Sequence, residues 1–408
     1  MNTRSTFYLA AGGVIVSAVA LALALEATVR ADGSSTPAQM PMNQSGGHMM
    51  GASQMSGRME HGTAAPQDGV PNAGANRGGR RLGHTTDGDT WIFELTAKPV
   101  KWEILNGTRV TAWTFNGTVP GPEIRVPYGQ KVRIVVKNEL PEPTAVHWHG
   151  IAVPNAMDGV PDVTQEAIEP GQSFTYEFRA LPTAPSSKGG TFMYHSHYDE
   201  DRQVGLGLSA PFVIEPPTHA AYDIERTLLL GEWNLNSDTG ATRPPMQMEG
   251  SFPNYFTING KAYPATDPIK VKRGQRVLLR VIGGMQFAHP MHLHGMGFKV
   301  VAKDGAPLGS PYDADVVDVT PGERYDLLFT ANRAGRWVFH CHIGHHLTNN
   351  GAGPGGLLTV IDVGGGTTTA STRESTMAHT MSGGQTMTGP MHAMSNGDQM
   401  PGMTHTSP

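Results

Sequence analysis

Residues 131–136 read Lys-Val-Arg-Ile-Val-Val and residues 275–281 read Gln-Arg-Val-Leu-Leu-Arg-Val, two short runs rich in large apolar side chains. Two further runs have the same character, Phe174-Thr-Tyr-Glu-Phe178 and Arg324-Tyr-Asp-Leu-Leu-Phe329. Gly, Pro and Asn turns separate such runs, and no long segment has the 3.6-residue apolar period of a helix. The pattern predicts an all-β chain built from antiparallel sandwiches.

The β-rich runs fall into two segments of similar order, residues 90–216 and residues 225–363. The first contains Phe-Asn-Gly-Thr-Val-Pro at 115–120, and the second contains the related Ile-Asn-Gly-Lys-Ala-Tyr at 258–263. Each segment ends with a histidine-rich strand. A repeated order of this kind predicts two tandem domains that arose by duplication.

The two ends of the 408-residue chain have a different composition. A basic residue, an apolar run over residues 7–25 and a small-residue cleavage pattern are typical of a signal peptide, here residues 1–31. We therefore expect export to the periplasm or secretion, and an uncleaved signal would act as a membrane anchor. Residues 32–89 and 364–408 are rich in Gly and Met without periodicity, so we expect both to be disordered.

The charge balance excludes one class of partner. The chain has 30 Lys and Arg against 35 Asp and Glu, a net charge of −5, which gives no basis for nucleic-acid binding. Cys341 is the only cysteine, so an intrachain disulfide is impossible. That cysteine is therefore free for other chemistry.

Four clusters of histidine carry the chemistry, and each contains a His-X-His. The pairs are His147 and His149, His195 and His197, His292 and His294, and His340 and His342. Residues i and i+2 of a strand point to the same face, so each pair directs two imidazoles to one place. Eight imidazoles are too many for one metal ion. Imidazole binds copper, zinc, iron and nickel, so the pairs alone leave the metal open.

Cys341 indicates copper. It lies between His340 and His342 and therefore points to the opposite face of that strand. His289 and His346 fall outside the four pairs, and two histidines with one thiolate form the trigonal set of a blue-copper electron-transfer site. One strand would then hold this copper on one face and ligands of another centre on the other face.

At these residues the chain resembles the multicopper oxidase family, and within it the two-domain branch of small laccases. The resemblance implies two cupredoxin-like Greek-key sandwiches and four coppers per chain. It also implies an oxidase that takes electrons from a reducing substrate at a type 1 copper and reduces dioxygen to water at a three-copper cluster. By position, the implied type 1 ligands are His289, Cys341 and His346, and His346 is preferred to His345 by its spacing from the cysteine. The implied type 2 ligands are His147 and His292. The implied type 3 ligands are His149, His195, His197, His294, His340 and His342.

Two further residues come from the resemblance. A Gly-rich insertion follows His346, and Leu357 would take the axial position beside the type 1 copper. Leucine cannot coordinate, which favours a higher potential. Asp158 matches a carboxylate placed near the type 2 copper, where it could relay protons; a turn-forming Asp-Gly is the alternative. Leu347 stands where some relatives carry a second acidic residue.

The resemblance also concerns assembly and substrate. Each domain supplies half of the cluster, and in similar two-domain enzymes the halves meet across subunits, which implies a head-to-tail homotrimer. The electron donor could be a phenol, an aromatic amine or a metal ion such as Cu(I). The Met-rich ends bear on the last option, because thioethers prefer Cu(I) as a ligand partner. Copper storage or delivery is an alternative. Copper nitrite reductase is another, but its type 1 site lies in the first domain, whereas Cys341 lies in the second.

Overall fold

A computed structural model of the chain describes residues 63–364 except 219–220 and 247–250. The predicted signal peptide, the predicted disordered segment up to residue 62 and the Met-rich segment from residue 365 lie outside the described residues. All described residues belong to one compact unit. Within them, no helix has the length and apolar character that crossing a bilayer requires.

The first domain is a sandwich of nine strands. In chain order they are β1 (Thr85–Asp87), β2 (Thr90–Leu105), β3 (Thr108–Phe115), β4 (Ile124–Pro127), β5 (Lys131–Asn138), β6 (Val146–His149), β7 (Ser173–Arg179), β8 (Gly190–Ser196) and β9 (Ser209–Glu215). One sheet has the order β1-β2-β5-β7, with β3 also paired to β2, and the other has the order β4-β9-β8-β6. A 3-10 helix at Asn155–Met157 follows β6, and helix α1 (Glu200–Gln203) follows β8.

The second domain repeats this plan with twelve strands. In chain order they are β10 (Ile224–Leu235), β11 (Thr242–Arg243), β12 (Tyr255–Ile258), β13 (Ile269–Lys272), β14 (Arg276–Gly283), β15 (His289–Leu293), β16 (Phe298–Lys303), β17 (Ala306–Ala314), β18 (Val316–Val319), β19 (Arg324–Thr330), β20 (Gly335–Cys341) and β21 (Leu358–Gly364). One sheet has the order β11-β10-β14-β19-β16-β17, with β12 paired to β10, and the other has the order β13-β21-β20-β15-β18. A 3-10 helix at Gly344–Leu347 follows β20.

The predicted pair of all-β sandwiches is confirmed, but the sheets are not purely antiparallel. In the first domain β2 pairs in parallel with β5, and β4 with β9; in the second, β10 pairs in parallel with β14, and β13 with β21. Between β2 and β5, and between β10 and β14, the chain adds a strand to the other sheet and returns beside its starting strand in the same direction. A tight hairpin can join only antiparallel strands, whereas this longer crossover between the sheets allows the two strands to pair in parallel.

Residues 63–89 differ from the sequence-based expectation. The described residues here lie along the first domain: Lys101 N donates to Pro71 O (2.7 Å), Glu123 N donates to Arg80 O (2.9 Å), and β1 pairs with β2. Backbone hydrogen bonds hold this segment, although it has few apolar side chains to bury. The prediction of disorder is therefore wrong for residues 63–89, and the domain begins before residue 90.

The predicted duplication has a counterpart in backbone geometry. Asn116 and Asn259 both adopt positive φ, 56° and 51°. The side-chain oxygen of Asn116 accepts the Thr96 N–H at 2.6 Å, and that of Asn259 accepts the Leu229 N–H at 2.8 Å. Asparagine tolerates this backbone region better than most residues because its side chain can bond locally. The same device thus joins the repeated motif to β2 in the first domain and to β10 in the second.

The two domains pack directly against each other. A buried apolar cluster contains Trp102 of the first domain together with Trp233 and other residues of the second. The Arg125 guanidinium also forms an ion pair with Glu225 across the domain boundary, at 3.1 Å. Apolar burial and a partly buried ion pair together fix the orientation of one domain relative to the other.

Candidate metal centres

Strand register places the histidine pairs. In the first domain His147 lies directly opposite His195 across β6 and β8, and in the second His292 lies directly opposite His340 across β15 and β20. Side chains of directly opposed residues stand on the same face of a sheet. Each domain therefore brings four predicted ligands together, as two groups of four imidazoles.

The first group consists of His147, His149, His195 and His197. Its ring centroids lie 5.5 to 6.2 Å apart, and ligand nitrogens of three members lie within 4.8 Å of one another. His147 Nδ1 lies 2.8 Å from the Asp158 carbonyl, and His195 Nδ1 lies 2.8 Å from the Ser196 carbonyl. A carbonyl oxygen can only accept, so both Nδ1 atoms carry the proton. The Nε2 lone pairs of His147 and His195 are thereby left for a metal ion.

The second group consists of His292, His294, His340 and His342 and repeats this arrangement. Its ring centroids lie 4.9 to 5.9 Å apart. His292 Nδ1 donates to the Asp315 carbonyl at 2.8 Å, and His340 Nδ1 donates to the Cys341 carbonyl at 2.7 Å. His294 and His342 are exposed.

The two groups of imidazoles are separate within the chain. Among the described residues, ring contacts join histidines inside each group, and none joins the first group to the second. The second group lies at the surface, whereas His195 of the first is only 3% exposed. Each group contains four of the eight histidines predicted to bind the three-copper cluster.

A third set of ligands lies on the other face of β20. Cys341 Sγ lies 3.3 Å from His346 Nδ1 and 4.0 Å from His289 Nδ1, and the two nitrogens are 3.1 Å apart. All three residues are buried. The three predicted type 1 ligands thus converge on one point, while His345 is exposed and only its ring edge faces His346, with centroids 4.4 Å apart.

Burial makes this third site suitable for a metal ion. Desolvation lowers the pKa of His346 to about 3 and raises the pKa of the Cys341 thiol to about 12. The imidazole is therefore a neutral donor, and a bound cation would displace the thiol proton. One sulfur and two imidazole nitrogens in a buried site fit copper.

Leu357 lies beside these ligands. Its N–H donates to the His346 carbonyl at 2.9 Å, and its carbonyl accepts the Cys341 N–H at 3.0 Å. The residue is fully buried in the same apolar cluster as Cys341. The backbone of Leu357 thus connects two of the ligand residues directly, across the Gly-rich insertion.

Two neighbours of the third site were missed by sequence reasoning. The Phe256 ring stacks on His346 with centroids 4.0 Å apart and an interplanar angle of 25°. Glu232 Oε2 lies 3.2 Å from His289 Nε2, and this carboxylate is fully buried. A signal for Glu232 existed, because it is an acidic residue inside the apolar run 228–233. Phe256 gave no such signal.

Two cavities open onto the first group of imidazoles. One, of about 550 Å³, is lined by His147, His149, Asp158, Asp304 and Arg324. Asp158, the carboxylate that the sequence analysis names as a candidate proton relay, has its Oδ1 3.5 Å from His147 Nδ1. Desolvation first, and the Arg324 guanidinium second, lower the pKa of His149 to about 4. The ring is therefore neutral and able to bind a metal ion.

The second cavity, of about 470 Å³, is lined by residues that include His149, His195 and Glu200. Glu200 lies 3.5 Å from His195 Nδ1 and 3.7 Å from His197 Nε2. Asp315 is the counterpart of Asp158 in the second domain, with Oδ2 4.0 Å from His292 Nδ1. Sequence reasoning missed both carboxylates, because common surface acids carry no pattern that marks them.

Comparison with known proteins agrees with this geometry. Residues 96–219 and 239–354 match two sequence profiles that are both described as multicopper oxidase. The solved structure of the multicopper oxidase mgLAC is 36% identical with a TM-score of 0.63 and aligns over 69% of this chain and 88% of that one. The blue copper oxidase from Nitrosomonas europaea is 35% identical with a TM-score of 0.62, over 67% of this chain and 85% of that one.

A curated relative is similar over a smaller share of its length. Multicopper oxidase MmcO of Mycobacterium tuberculosis is 33% identical over 279 residues, which are 60% of this chain and 52% of that protein. The chain spans about half the length of the curated relatives it matches.

Proposed function

The chain belongs to the multicopper oxidase family, and we propose that it couples one-electron oxidation of a reducing substrate to the reduction of dioxygen to water. Electrons would enter at a type 1 copper held by His289, Cys341 and His346. Bound copper supplies the one-electron redox chemistry that these side chains lack. The observation that carries the proposal is the convergence of a buried thiol with two imidazoles on the strand that also supplies His340.

We assign the two groups of imidazoles to a cluster of three coppers, which makes four per chain with the type 1 copper. His147 and His292 would bind the type 2 copper. Both are the residues whose Nδ1 is held by an aspartate carbonyl, so their Nε2 atoms are oriented alike. The type 3 pair would be held by His149, His195, His197, His294, His340 and His342.

Protons for water formation require a relay, and Asp158 is the proposed one. Its carboxylate lines the 550 Å³ cavity beside His147 and His149, so it has both water access and contact with the ligand shell. A carboxylate at hydrogen-bond range of incoming water can hold and pass a proton. Asp158→Asn should slow oxygen reduction while leaving anaerobic reduction of the type 1 copper unchanged; equal slowing of both steps would refute the relay.

The cluster would form between subunits. In one chain the two groups of imidazoles make no ring contact among the described residues, and His294 and His342 of the second group are exposed. A head-to-tail contact that places the first domain of one chain on the second domain of the next closes into a ring. We propose a homotrimer, and light scattering should show that any monomeric form lacks type 2 and type 3 copper.

The electron donor is either a phenol or aromatic amine, or Cu(I). The Met-rich segments favour Cu(I), because most of the 21 methionines lie near the two ends and thioethers prefer the cuprous ion. Export, as the N-terminal sequence predicts, would place such an oxidase where copper enters the cell. Deletion of residues 364–408 should lower Cu(I) oxidation more than phenol oxidation. Equal effects would count against a role for that segment.

The decisive test of the function is copper content together with oxygen uptake. Purified, copper-loaded protein should contain about four coppers per chain and consume dioxygen with Cu(I) or a simple phenol. One or two coppers per chain, or no oxygen uptake with either donor, would refute the proposal. Copper storage without catalysis would give copper binding but no uptake.

A further inference from the structure

Glu232 is a buried carboxylate that the proposed electron and proton paths do not use. It lies on β10 between Gly231 and the fully buried Trp233, and it is itself fully buried. Removing a carboxylate from water costs several kcal/mol unless partners replace the lost hydration. Among the described residues, the side chain that contacts its carboxylate is His289, and no Lys or Arg side chain forms an ion pair with it. Other groups around Glu232 must therefore offset the cost of burying its carboxylate.

The contacts of Glu232 all come from donors near the type 1 ligands. Oε1 accepts the backbone N–H groups of Gln286 and Phe287. Oε2 lies 3.2 Å from His289 Nε2. Both oxygens thus face nitrogen atoms that can donate a hydrogen bond.

The same contact determines the orientation of His289. Because Oε2 accepts, His289 Nε2 carries the hydrogen and the lone pair is on Nδ1. Nδ1 is the atom that points to His346 Nδ1 (3.1 Å) and Cys341 Sγ (4.0 Å). Carboxylate–histidine–metal arrangements of this kind fix both the tautomer and the ring angle of a ligand.

We propose that Glu232 is a positioning residue for the type 1 copper, one that orients His289 and lowers the reduction potential of the site. The inference rests on the proposed type 1 copper. A negative charge one imidazole away favours the more highly charged oxidised metal, so Glu232 opposes the effect of the apolar Leu357. The buried carboxylate then sets the potential against which the donor must be oxidised.

A purely structural role is the alternative. Glu232 also closes the turn at residues 286–287, and any buried acid could do so. The two roles differ in what they change: a turn-closing carboxylate affects stability alone, whereas a positioning carboxylate also affects the spectrum, potential and copper affinity of the type 1 site.

The test compares Glu232→Gln with Asp326→Asn. Asp326 is a buried acid at the domain boundary. Its side chain pairs with Arg280 and accepts a hydrogen bond from Thr191, and neither partner is a type 1 ligand. In Glu232→Gln the reduced-to-oxidised ratio of the type 1 copper at a fixed potential should rise at least about tenfold, a shift of about +59 mV for one electron. Copper affinity of that site should fall about 10- to 100-fold. Asp326→Asn should lose stability with no change in either quantity.

An unchanged potential and copper affinity in a folded Glu232→Gln protein would overturn the proposal. A second measurement needs no variant at the carboxylate: nitrogen NMR of the metal-free wild-type protein should show His289 protonated at Nε2, and protonation at Nδ1 would also overturn it. If the wild-type protein forms no thiolate-bound copper, the proposed function fails instead. The NMR result separates these two outcomes.

Discussion

His340 Nδ1 donates a hydrogen bond to the carbonyl oxygen of Cys341, at 2.7 Å. The residue that offers the thiol to one candidate centre is thus bonded, within the same strand, to a ligand of the other. Under the proposed function, electrons at the sulfur would have two short routes to the His340 imidazole, one through the backbone bonds and one through this hydrogen bond. In the first domain His195 Nδ1 donates to the Ser196 carbonyl in the same way, but Ser196 has no sulfur.

Replacement of the thiol should separate the two centres. Cys341→Ser removes the sulfur ligand but keeps the backbone carbonyl that His340 uses, so copper content should fall by about one per chain while the cluster signals persist. The intense visible absorption of copper–thiolate should vanish and oxygen uptake should stop. Met291→Leu, a volume-conserving change at the residue opposite Cys341, should retain both. Uptake that survives without the thiol would refute electron entry at Cys341.

Loss of the aromatic ring beside His346 should affect both stability and spectrum. Phe256 is fully buried and stacks on the imidazole, so Phe256→Ala should lower the free energy of unfolding by about 3–5 kcal/mol. It should also alter the copper–thiolate absorption, because His346 gains freedom to rotate. Phe212→Ala, in the core of the first domain, is the control: a similar loss of stability with an unaltered spectrum is expected. Identical spectra for both variants would argue against a positioning role for the ring.

The metal-free protein should lose stability as the pH falls below about 6.5. Burial lowers the pKa of His195 and of His346 to about 3, whereas both are near 6.5 in an unfolded chain. Between about pH 6.5 and 3 the unfolded chain therefore binds protons that the folded chain cannot, which favours unfolding. Urea denaturation between pH 7 and 5 avoids most carboxyl titration. The free energy of unfolding should fall with pH less steeply in His195→Gln than in the wild-type protein. A wild-type free energy of unfolding that does not change with pH would contradict the burial argument.

The axial assignment is tested at Leu357. Leu357→Met introduces a thioether that can bind the type 1 copper, so the reduction potential should fall and the visible spectrum should change. Leu293→Met, another buried leucine of the same cluster, controls for added sulfur in the core. A Leu357→Met protein with unchanged spectrum and potential would remove Leu357 from the axial position.

The fold was largely predictable, and so was the clustering of the histidines and Cys341, because short-range rules govern both. Period-two alternation in runs such as 131–136 marks strands, and the same period explains why Cys341 and its histidine neighbours face opposite ways. Glycine and asparagine turns divided the chain into its two domains. These features depend on residues close together in sequence.

Contacts between distant segments were not predictable in the same way. Residues 63–89 are held by backbone hydrogen bonds to β2 and to the segment just before β4, and amino-acid composition does not reveal such bonds. The parallel pairs depend on how the chain crosses between sheets. Glu232 was visible as an acid in an apolar run, but its partner lies 57 residues away in His289. Only the folded arrangement gives such a residue its role.

Complementation between two inactive variants tests whether the oxygen-reducing cluster forms between chains. One variant carries His147→Ala and His195→Ala, the other His292→Ala and His340→Ala, and each should lack cluster copper and oxygen uptake when purified alone. When the two variants are co-expressed with different affinity tags, a mixed trimer should contain one subunit interface in three at which an intact first domain meets an intact second domain. Such trimers should regain about one third of the wild-type oxygen uptake per chain. Activity in either variant alone, or inactive mixed trimers, would contradict a cluster shared between neighbouring subunits.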